Sequence, residues 1–424
     1  MNQIKALNEV KVSLNFGRRN NHQDDHQDNS DEIITVGRLA RRDQTIYFEY
    51  DSAFIAMGLE ISPLQLALEP GLRRFDPHLF EGLPGVFNDS LPDGWGRLLF
   101  DRWARSQGFE PSQLSPLHRL SFVGHHGMGA LVYEPDNNDV EVTETIYLDE
   151  LAAQAQQVLD GESSDVLEQL IALNGSSAGA RPKALIGVNQ NLDHMIHRNT
   201  HHLPDDYTGW LVKFPNTQDG IDAGAVEYVY ALMAKEAGIE MPAVHLFPTQ
   251  RGPGFFASQC FDRERHQRYH MHTACGLLHS DFRTPALDYE DLLALTGMLT
   301  RDVRQVERMY QLAVFNVLAH NRDDHSKNFS FLMDRAGNWR LAPAYDLTFS
   351  FGPSGEQSTM VMGEGRNPSM SQLLKLGQQA QITSTRMHEI IEQTQYSLSK
   401  WSTLAQAHGV SKQTIARVQE KLDY

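Results

Sequence analysis

Hard oxygen donors and cations crowd into Asn321-Arg322-Asp323-Asp324-His325-Ser326-Lys327-Asn328, and a further carboxylate, Asp346, follows downstream. Carboxylate and carboxamide oxygens are the ligands that Mg²⁺ takes when it also keeps waters and substrate phosphates. A carboxylate beside such a cation can orient a hydroxyl for attack, so the group suits phosphoryl transfer. In that chemistry Asp323 would orient the acceptor hydroxyl, Asn328 and Asp346 would hold Mg²⁺ against nucleotide phosphates, and Lys327 would neutralise further charge. For the loop alone, an Asx-rich turn serving backbone hydrogen bonds accounts for the same residues. A second group is Gly175-Ser176-Ser177-Ala178-Gly179-Ala180-Arg181-Pro182-Lys183. Its small residues would let backbone N–H groups approach phosphate oxygens, with Lys183 adding charge. It lacks the Lys-Ser/Thr pair of a Walker A loop, and a flexible connection with a surface lysine is the plainer reading. The third group is Lys213, central to Trp210-Leu211-Val212-Lys213-Phe214, with Glu227 as its candidate partner. Taken alone, a strand lysine also reads as an edge guard.

Rigid elements must hold these groups. Val303, Val306, Tyr310, Val314 and Val317 recur at helical spacing and predict a long amphipathic helix before the Asn321 loop. Phe329 to Met333 predicts a strand, Asp334 to Asn338 a turn, and Trp339 to Ala342 a return strand, which would bring Asn328 and Asp346 side by side. Upstream, Lys213 sits on a short apolar strand ended by Pro215. Val226, Val229, Tyr230 and Met233 mark one face of the next helix, closed by Gly238 and Pro242. Strands follow at Ala243 to Phe247 and near Phe255 to Phe261. A small-residue loop, a strand lysine with a helix glutamate, an Asp with an Asn five positions on, and a second Asp after a hairpin stand in protein-kinase order.

The rest of the chain bounds the reading. Its 424 residues suit two or three domains, and 41% hydrophobic with 21% charged residues is a globular balance. A net charge of −17 is the wrong sign for a protein that coats phosphate backbones by itself. Two cysteines, Cys260 and Cys275, make neither a disulfide framework nor a four-ligand zinc site and suit a reducing compartment. No window is apolar enough to span a membrane, and the first residues lack a secretory leader, so the cytoplasm is expected. Ile4 to Phe16, Ile33 to Leu39 and Thr45 to Tyr50 have strand character, with the acidic Asn20 to Glu32 between them as a surface loop. Pro92-Asp93-Gly94 reads as a turn feeding a helix, with Asp89 and Asp93 as turn or cap residues. Leu148 to Leu173 reads as helical. His194, His197, His201 and His202 lie in a polar stretch, Asn189 to Tyr207, that reads as a solvated hairpin loop rather than a metal site.

The segments SSAGARPKAL, LVKFP, EYVYALMAKEAGIEMPAVHLF, CFDRE, NRDDHSKNFSFL and LAPAYDL resemble the HipA family of bacterial serine/threonine kinases, the toxins of HipA–HipB toxin–antitoxin pairs. The likeness covers most of Ser176 to Phe351, and FNDSLPDGWGRLLFDRW resembles the family's N-terminal module. It implies an α+β, two-lobed protein-kinase-like fold behind a β-rich N-terminal module. The expected division is a HipA-like module over 1–161, a small lobe with the phosphate loop over 162–285 and a helical large lobe over 286–424. The resemblance implies ATP and Mg²⁺ as cofactors and phosphate contacts along Ala178, Gly179, Ala180, Arg181, Pro182 and Lys183. It makes Lys213 the nucleotide lysine and puts adenine-side contacts at Gln259, Cys260 and Phe261. Asp323 becomes catalytic, His325, Ser326, Lys327 and Asn328 continue the nucleotide and metal loop, and Tyr345 with Asp346 completes it. Ser176 falls at the family's autophosphorylated serine. The implied partners are a HipB-like helix-turn-helix antitoxin and an aminoacyl-tRNA synthetase substrate, with DNA approached through the antitoxin and no membrane. Asp324 departs from the family, which commonly has a small residue there, and Arg181-Pro182 stiffens the loop. A small-molecule or lipid kinase, or a catalytically silent kinase-fold scaffold, would share the same elements.

Overall fold

The computed structural model describes residues 7–18, 31–137, 145–161, 170–171, 173, 179–197, 203–216, 219–284 and 286–422. Strand Glu9–Arg18 buries Val10, Val12, Leu14 and Phe16 at the two-residue period of a pleated strand. It pairs antiparallel with Asp31–Arg42, which pairs in turn with Thr45–Tyr50. The expected surface loop therefore ends earlier than Glu32: residues 19–30 lie outside the described residues, while Asp31 and Glu32 already belong to a strand. Leu131–Glu134 also pairs with the first strand. A hairpin from far downstream, Arg263–Glu264 with Gln267–Arg268, extends this sheet by pairing Gln267 with Gly17. Gly17 has φ +74°, and a Cβ there would collide with the His266 carbonyl, so glycine permits the junction.

A second, five-stranded antiparallel sheet runs Met195–His197, Lys183–Asn189, Tyr207–Lys213, Phe255–Gln259 and Val244–Phe247 in spatial order. The polar Asn189 to Tyr207 stretch is therefore partly sheet. His197 is fully buried at a strand position rather than solvated, and 198–202, with His201 and His202, lie outside the described residues. Trp95 and Leu99 of helix Gly94–Ser106 share a core with this sheet, as do Leu151, Ala155 and Val158 of helix Leu148–Leu159. Helix Ala223–Glu236 is buried nearly all round, as its run of Ala, Val, Tyr and Met demands, and joins the sheet to the large lobe.

That lobe is helical, built from Tyr289–Thr300, Val303–Leu318, Met370–Gln379, Ser384–Leu398 and the C-terminal pair Trp401–Ala407 and Lys412–Leu422. Asp302 accepts the Arg304 N–H at 2.9 Å and so starts the Val303–Leu318 helix. Tyr310, Val314 and Val317 are buried as their spacing requires, whereas Val303, in the first turn, is 82% exposed. The expected hairpin is Ser330–Met333 with Trp339–Leu341, and His270–Thr273 adds a third strand. Among the described residues no helix is long and apolar enough to cross a membrane.

Candidate active site

The Val303–Leu318 helix ends at Ala319, and the chain then turns through His320 at φ +54° into the Asn321 loop. Three contacts fix that loop. Asn328 Nδ2 donates to the Asp323 carbonyl at 2.8 Å, Ser326 Oγ donates to the Ser280 carbonyl, and Tyr345 Oη donates to the Lys327 carbonyl at 2.5 Å. Asp324 is the deepest anchor. Its carboxylate accepts from Tyr289 Oη, Gln357 Nε2 and the backbone N–H groups of Ser358 and Thr359 at 2.7–3.2 Å. Burial pushes its pKa up to about 7 against these donors. The residue that departs from the family pattern thus points away from the cleft and ties the loop to the strand at Thr359. Asp323, next to it, is exposed, near enough to His325, Asp346, Arg181 and Lys213 to feel their charges. Partial desolvation there raises its pKa, opposed by His325 and reinforced by Asp346.

Antiparallel register puts Lys183 opposite Lys213, so both side chains leave the same face of the sheet. Lys213 Nζ lies 2.5 Å from Glu227 Oε1 and 2.5 Å from Asp346 Oδ1. Burial alone would lower the lysine's pKa, but Asp346 and Glu227 outweigh it and hold the ammonium charged. Burial likewise opposes ionisation of Asp346, yet Lys213 and Lys183 keep its carboxyl well below the usual range. Lys183 has less support: burial, then repulsion from Lys213, brings it down to about 8. Asp346 itself adopts φ +57°, a left-handed conformation uncommon outside glycine, which clusters at functional sites. Arg181 reaches Glu227 Oε2 at 3.4 Å and Asp219 at 3.1 Å.

These groups close one end of a cleft between the lobes. Gly179, Lys183, Lys213, Glu227, Gln259, Cys260, Phe261, His325, Lys327, Asn328, Tyr345 and Asp346 all line it. The Phe261 and Tyr345 rings lie 5.4 Å apart on its wall. Arg181 instead borders a smaller adjoining recess with Asp219 and Glu227. Pro182 accepts the Phe214 N–H through its carbonyl, Ala180 lies beside Gly94, and Ser326 is spent on Ser280. Ser176 and Ala178 lie outside the described residues. Asn328 and Asp346 offer hard oxygens to the same cleft. Among the described residues no cluster of His, Cys, Asp or Glu makes a complete metal cage. A donor pair of this kind fits Mg²⁺, which takes its remaining ligands from phosphates and water.

The N-terminal region enters the site in a way the sequence did not disclose. Asp93 occupies the first cap position of helix Gly94–Ser106, but its side chain does not cap it. Its carboxylate meets Lys327 Nζ and the Gly179 N–H, each at 2.5 Å. Asp89 does sit in the turn that closes helix Gly85–Asn88, but its carboxylate takes His272 Nδ1 at 2.6 Å and both the N–H and hydroxyl of Thr273. Asp89 and Thr273 line the cleft, as do Met128 and Leu131.

Family models account for both halves. A model of the HipA N-terminal domain matches residues 32–134, and one of the HipA-like C-terminal domain matches residues 175–401. The chain belongs to the HipA family. Among solved structures, HipA of Shewanella oneidensis MR-1, in a complex of HipA, HipB and operator DNA, aligns over 92% of this chain and 94% of that one. The TM-score is 0.65 and the identity 16%, so the two share the fold. The Helicobacter pylori proinflammatory kinase CtkA aligns over 50% of this chain and 87% of its own, at 13% identity and a TM-score of 0.34. No curated protein matches the sequence. The two-lobed, kinase-like α+β fold behind a sheet-bearing N-terminal module is thus the fold of this HipA-family chain.

Proposed function

We propose that this HipA-family protein transfers the γ-phosphoryl group of Mg-ATP to a serine or threonine of a protein substrate. The observation that carries the reading is Lys213, held between Glu227 and Asp346 at 2.5 Å each, in the cleft that Asn328 also lines, with Asp323 exposed on the same loop as Asn328. Lys213 and Lys183 would bind phosphate oxygens, and Gly179 would offer close backbone approach. Asn328 and Asp346 would hold Mg²⁺, which when bound neutralises charge on the transferring oxygens. Asp323 would accept a hydrogen bond from the substrate hydroxyl and align it, its raised pKa suiting proton acceptance as charge develops. Phe261 and Tyr345 would flank the base.

The same reading makes a HipB-like antitoxin the partner, supported by the HipB-bound Shewanella neighbour. Family likeness further suggests an aminoacyl-tRNA synthetase as substrate and Ser176 as a site of autophosphorylation that silences the enzyme. Cytoplasmic action suits a chain with only two cysteines, both buried. Transfer of label from γ-labelled Mg-ATP, with purified protein and a cell lysate as acceptor, tests the reading. Label on protein serine or threonine is expected, and Asp323→Asn and Asp346→Asn should each abolish it. Because metal ligation stabilises bound nucleotide while hydroxyl alignment acts in the transition state, Asp346→Asn alone should also weaken Mg-ATP binding strongly. Label on a small acceptor, or normal transfer by either variant, would overturn the assignment.

A further inference from the structure

Asp93 gives up a favourable local role. Aspartate at a helix N-cap ordinarily accepts the N–H of the second or third helical residue and so stabilises the helix start, yet here that bond is not made. The carboxylate, with only 10% of its side chain exposed, reaches two separate elements instead. One oxygen takes the Gly179 N–H, in the phosphate loop leading into the small-lobe sheet. The other takes Lys327 Nζ, in the catalytic loop of the large lobe. The neighbouring residues reinforce the junction. The Trp95 N–H donates to the Gly179 carbonyl at 3.0 Å, so both backbone polar groups of Gly179 are held from the Asp93–Trp95 turn. Gly94, at φ +46°, lies so close to the backbone of Gly179 and Ala180 that any Cβ there would collide. On its far side Lys327 Nζ sits 4.8 Å from the centre of the Phe282 ring, which narrows its freedom to leave.

We propose that Asp93 is a positioning residue. A single carboxylate from the N-terminal module clasps the phosphate loop to the catalytic loop and sets how closely the two lobes approach at the phosphate end of the cleft. This rests on the nucleotide reading of the cleft for its consequence, though not for its geometry. Gly179 and Lys327 both line the cleft, so the clasp fixes a backbone donor and a cation in the one region where phosphate charge would gather. The N-terminal module is then a working part of the nucleotide site, and a charge change at one of its residues alters nucleotide affinity.

Full-length wild type, Asp93→Ala and Asp93→Asn would be compared by amide hydrogen exchange without nucleotide and by calorimetric titration with Mg-ATP. In Asp93→Ala, exchange should accelerate in peptides covering 179–183 and 325–328, while helix Val303–Leu318 keeps its protection. That contrast separates a lost clasp from general destabilisation. The same variant should bind Mg-ATP at least tenfold more weakly. Asp93→Asn keeps an oxygen for the Gly179 N–H but loses the ion pair, so it should restore protection at 179–183 and not at 325–328. Unchanged exchange at 179–183 in Asp93→Ala would overturn the clasp. Tighter Mg-ATP binding by that variant would overturn it too, because the carboxylate would then compete with phosphate rather than position its ligands. Should wild type fail to bind Mg-ATP, the nucleotide reading falls, and the exchange pattern alone confirms or overturns the clasp.

Discussion

Glu227→Gln separates charge from shape in the buried cluster. The Glu227 side chain is 2% exposed, with Lys213 on one oxygen and Arg181 on the other. Glutamine keeps the volume and one acceptor but removes the negative charge. Leaving a buried charge without its partner costs about 3–5 kcal/mol. Here each cation keeps a second carboxylate: Lys213 retains Asp346 at 2.5 Å and Arg181 retains Asp219 at 3.1 Å. Arg181 is also 31% exposed, so water recovers part of its loss. The expected destabilisation is therefore at the lower end, about 3 kcal/mol. Urea unfolding should show it as a lower midpoint at unchanged slope. The variant carries excess positive charge beside the phosphate end of the cleft, so saturating Mg-ATP should recover some of the lost stability. With Lys213 drawn toward Asp346 alone, kcat/KM should nevertheless fall at least tenfold, about 1.4 kcal/mol of transition-state stabilisation. A stability loss below about 1 kcal/mol, the scale of an exposed pair, would refute the claim that this cluster is desolvated and charge-coupled.

Other outcomes follow from the same geometry. Lys183, at about 8 in the free protein, should regain a proton when phosphate charge arrives. At pH 8.5 Mg-ATP binding should therefore take up protons, measured as a binding enthalpy that varies with buffer ionisation heat, and Lys183→Met should abolish the variation. Asp324 has a folded pKa of about 7 against an ordinary 3.8, so between those values the native state binds more protons than the unfolded one. Stability should fall as pH rises through that window, and Asp324→Asn, which cannot ionise, should flatten the decline in denaturant titrations at several pH values. Asp324→Ala strands the four donors that now meet its carboxylate and should cost about 3 kcal/mol or more by denaturant unfolding. Under the proposed function, incubation with Mg-ATP should phosphorylate Ser176 ahead of Ser177, faster at higher enzyme concentration. Peptide mass spectrometry would follow it, nucleotide affinity should fall as phosphate accumulates, and Ser176→Ala should prevent that loss.

What the sequence disclosed about this fold was what short-range physics specifies. Helix Val303–Leu318 and strands Ser330–Met333 and Trp339–Leu341 follow from local periodicity and from the Asp334–Asn338 turn, and together they deliver Asn328 and Asp346 to one cleft. Lys213 and Glu227 are 14 positions apart on consecutive elements, so a strand followed by a helix of known phase already brings them near. Asp324 was harder to read. It stands where the family commonly has a small residue, and only the tertiary approach of Gln357, Ser358 and Thr359 shows that it faces the interior.

The N-terminal contribution was illegible for a definite reason. Asp93 and Lys327 are separated by 234 positions, and Asp89 and His272 by 183. Nothing in a Pro-Asp-Gly turn distinguishes an aspartate that caps its own helix from one that gives up the cap for a distant lysine, because local propensity is the same in both cases. What separates them is the close approach of Gly94 to the Gly179 backbone, which brings the carboxylate within reach of another lobe. The consequence reaches beyond one residue. The hairpin at Arg263–Arg268 extends the N-terminal sheet, Asp89 grips Thr273, and Asp93 grips Gly179 and Lys327. Four contacts thus run from the N-terminal region to four different segments, and Thr273, Gly179 and Lys327 among them line the cleft. A module joined that way cannot shift without moving the cleft walls, so any partner that binds the module and displaces it has a mechanical route to the nucleotide site.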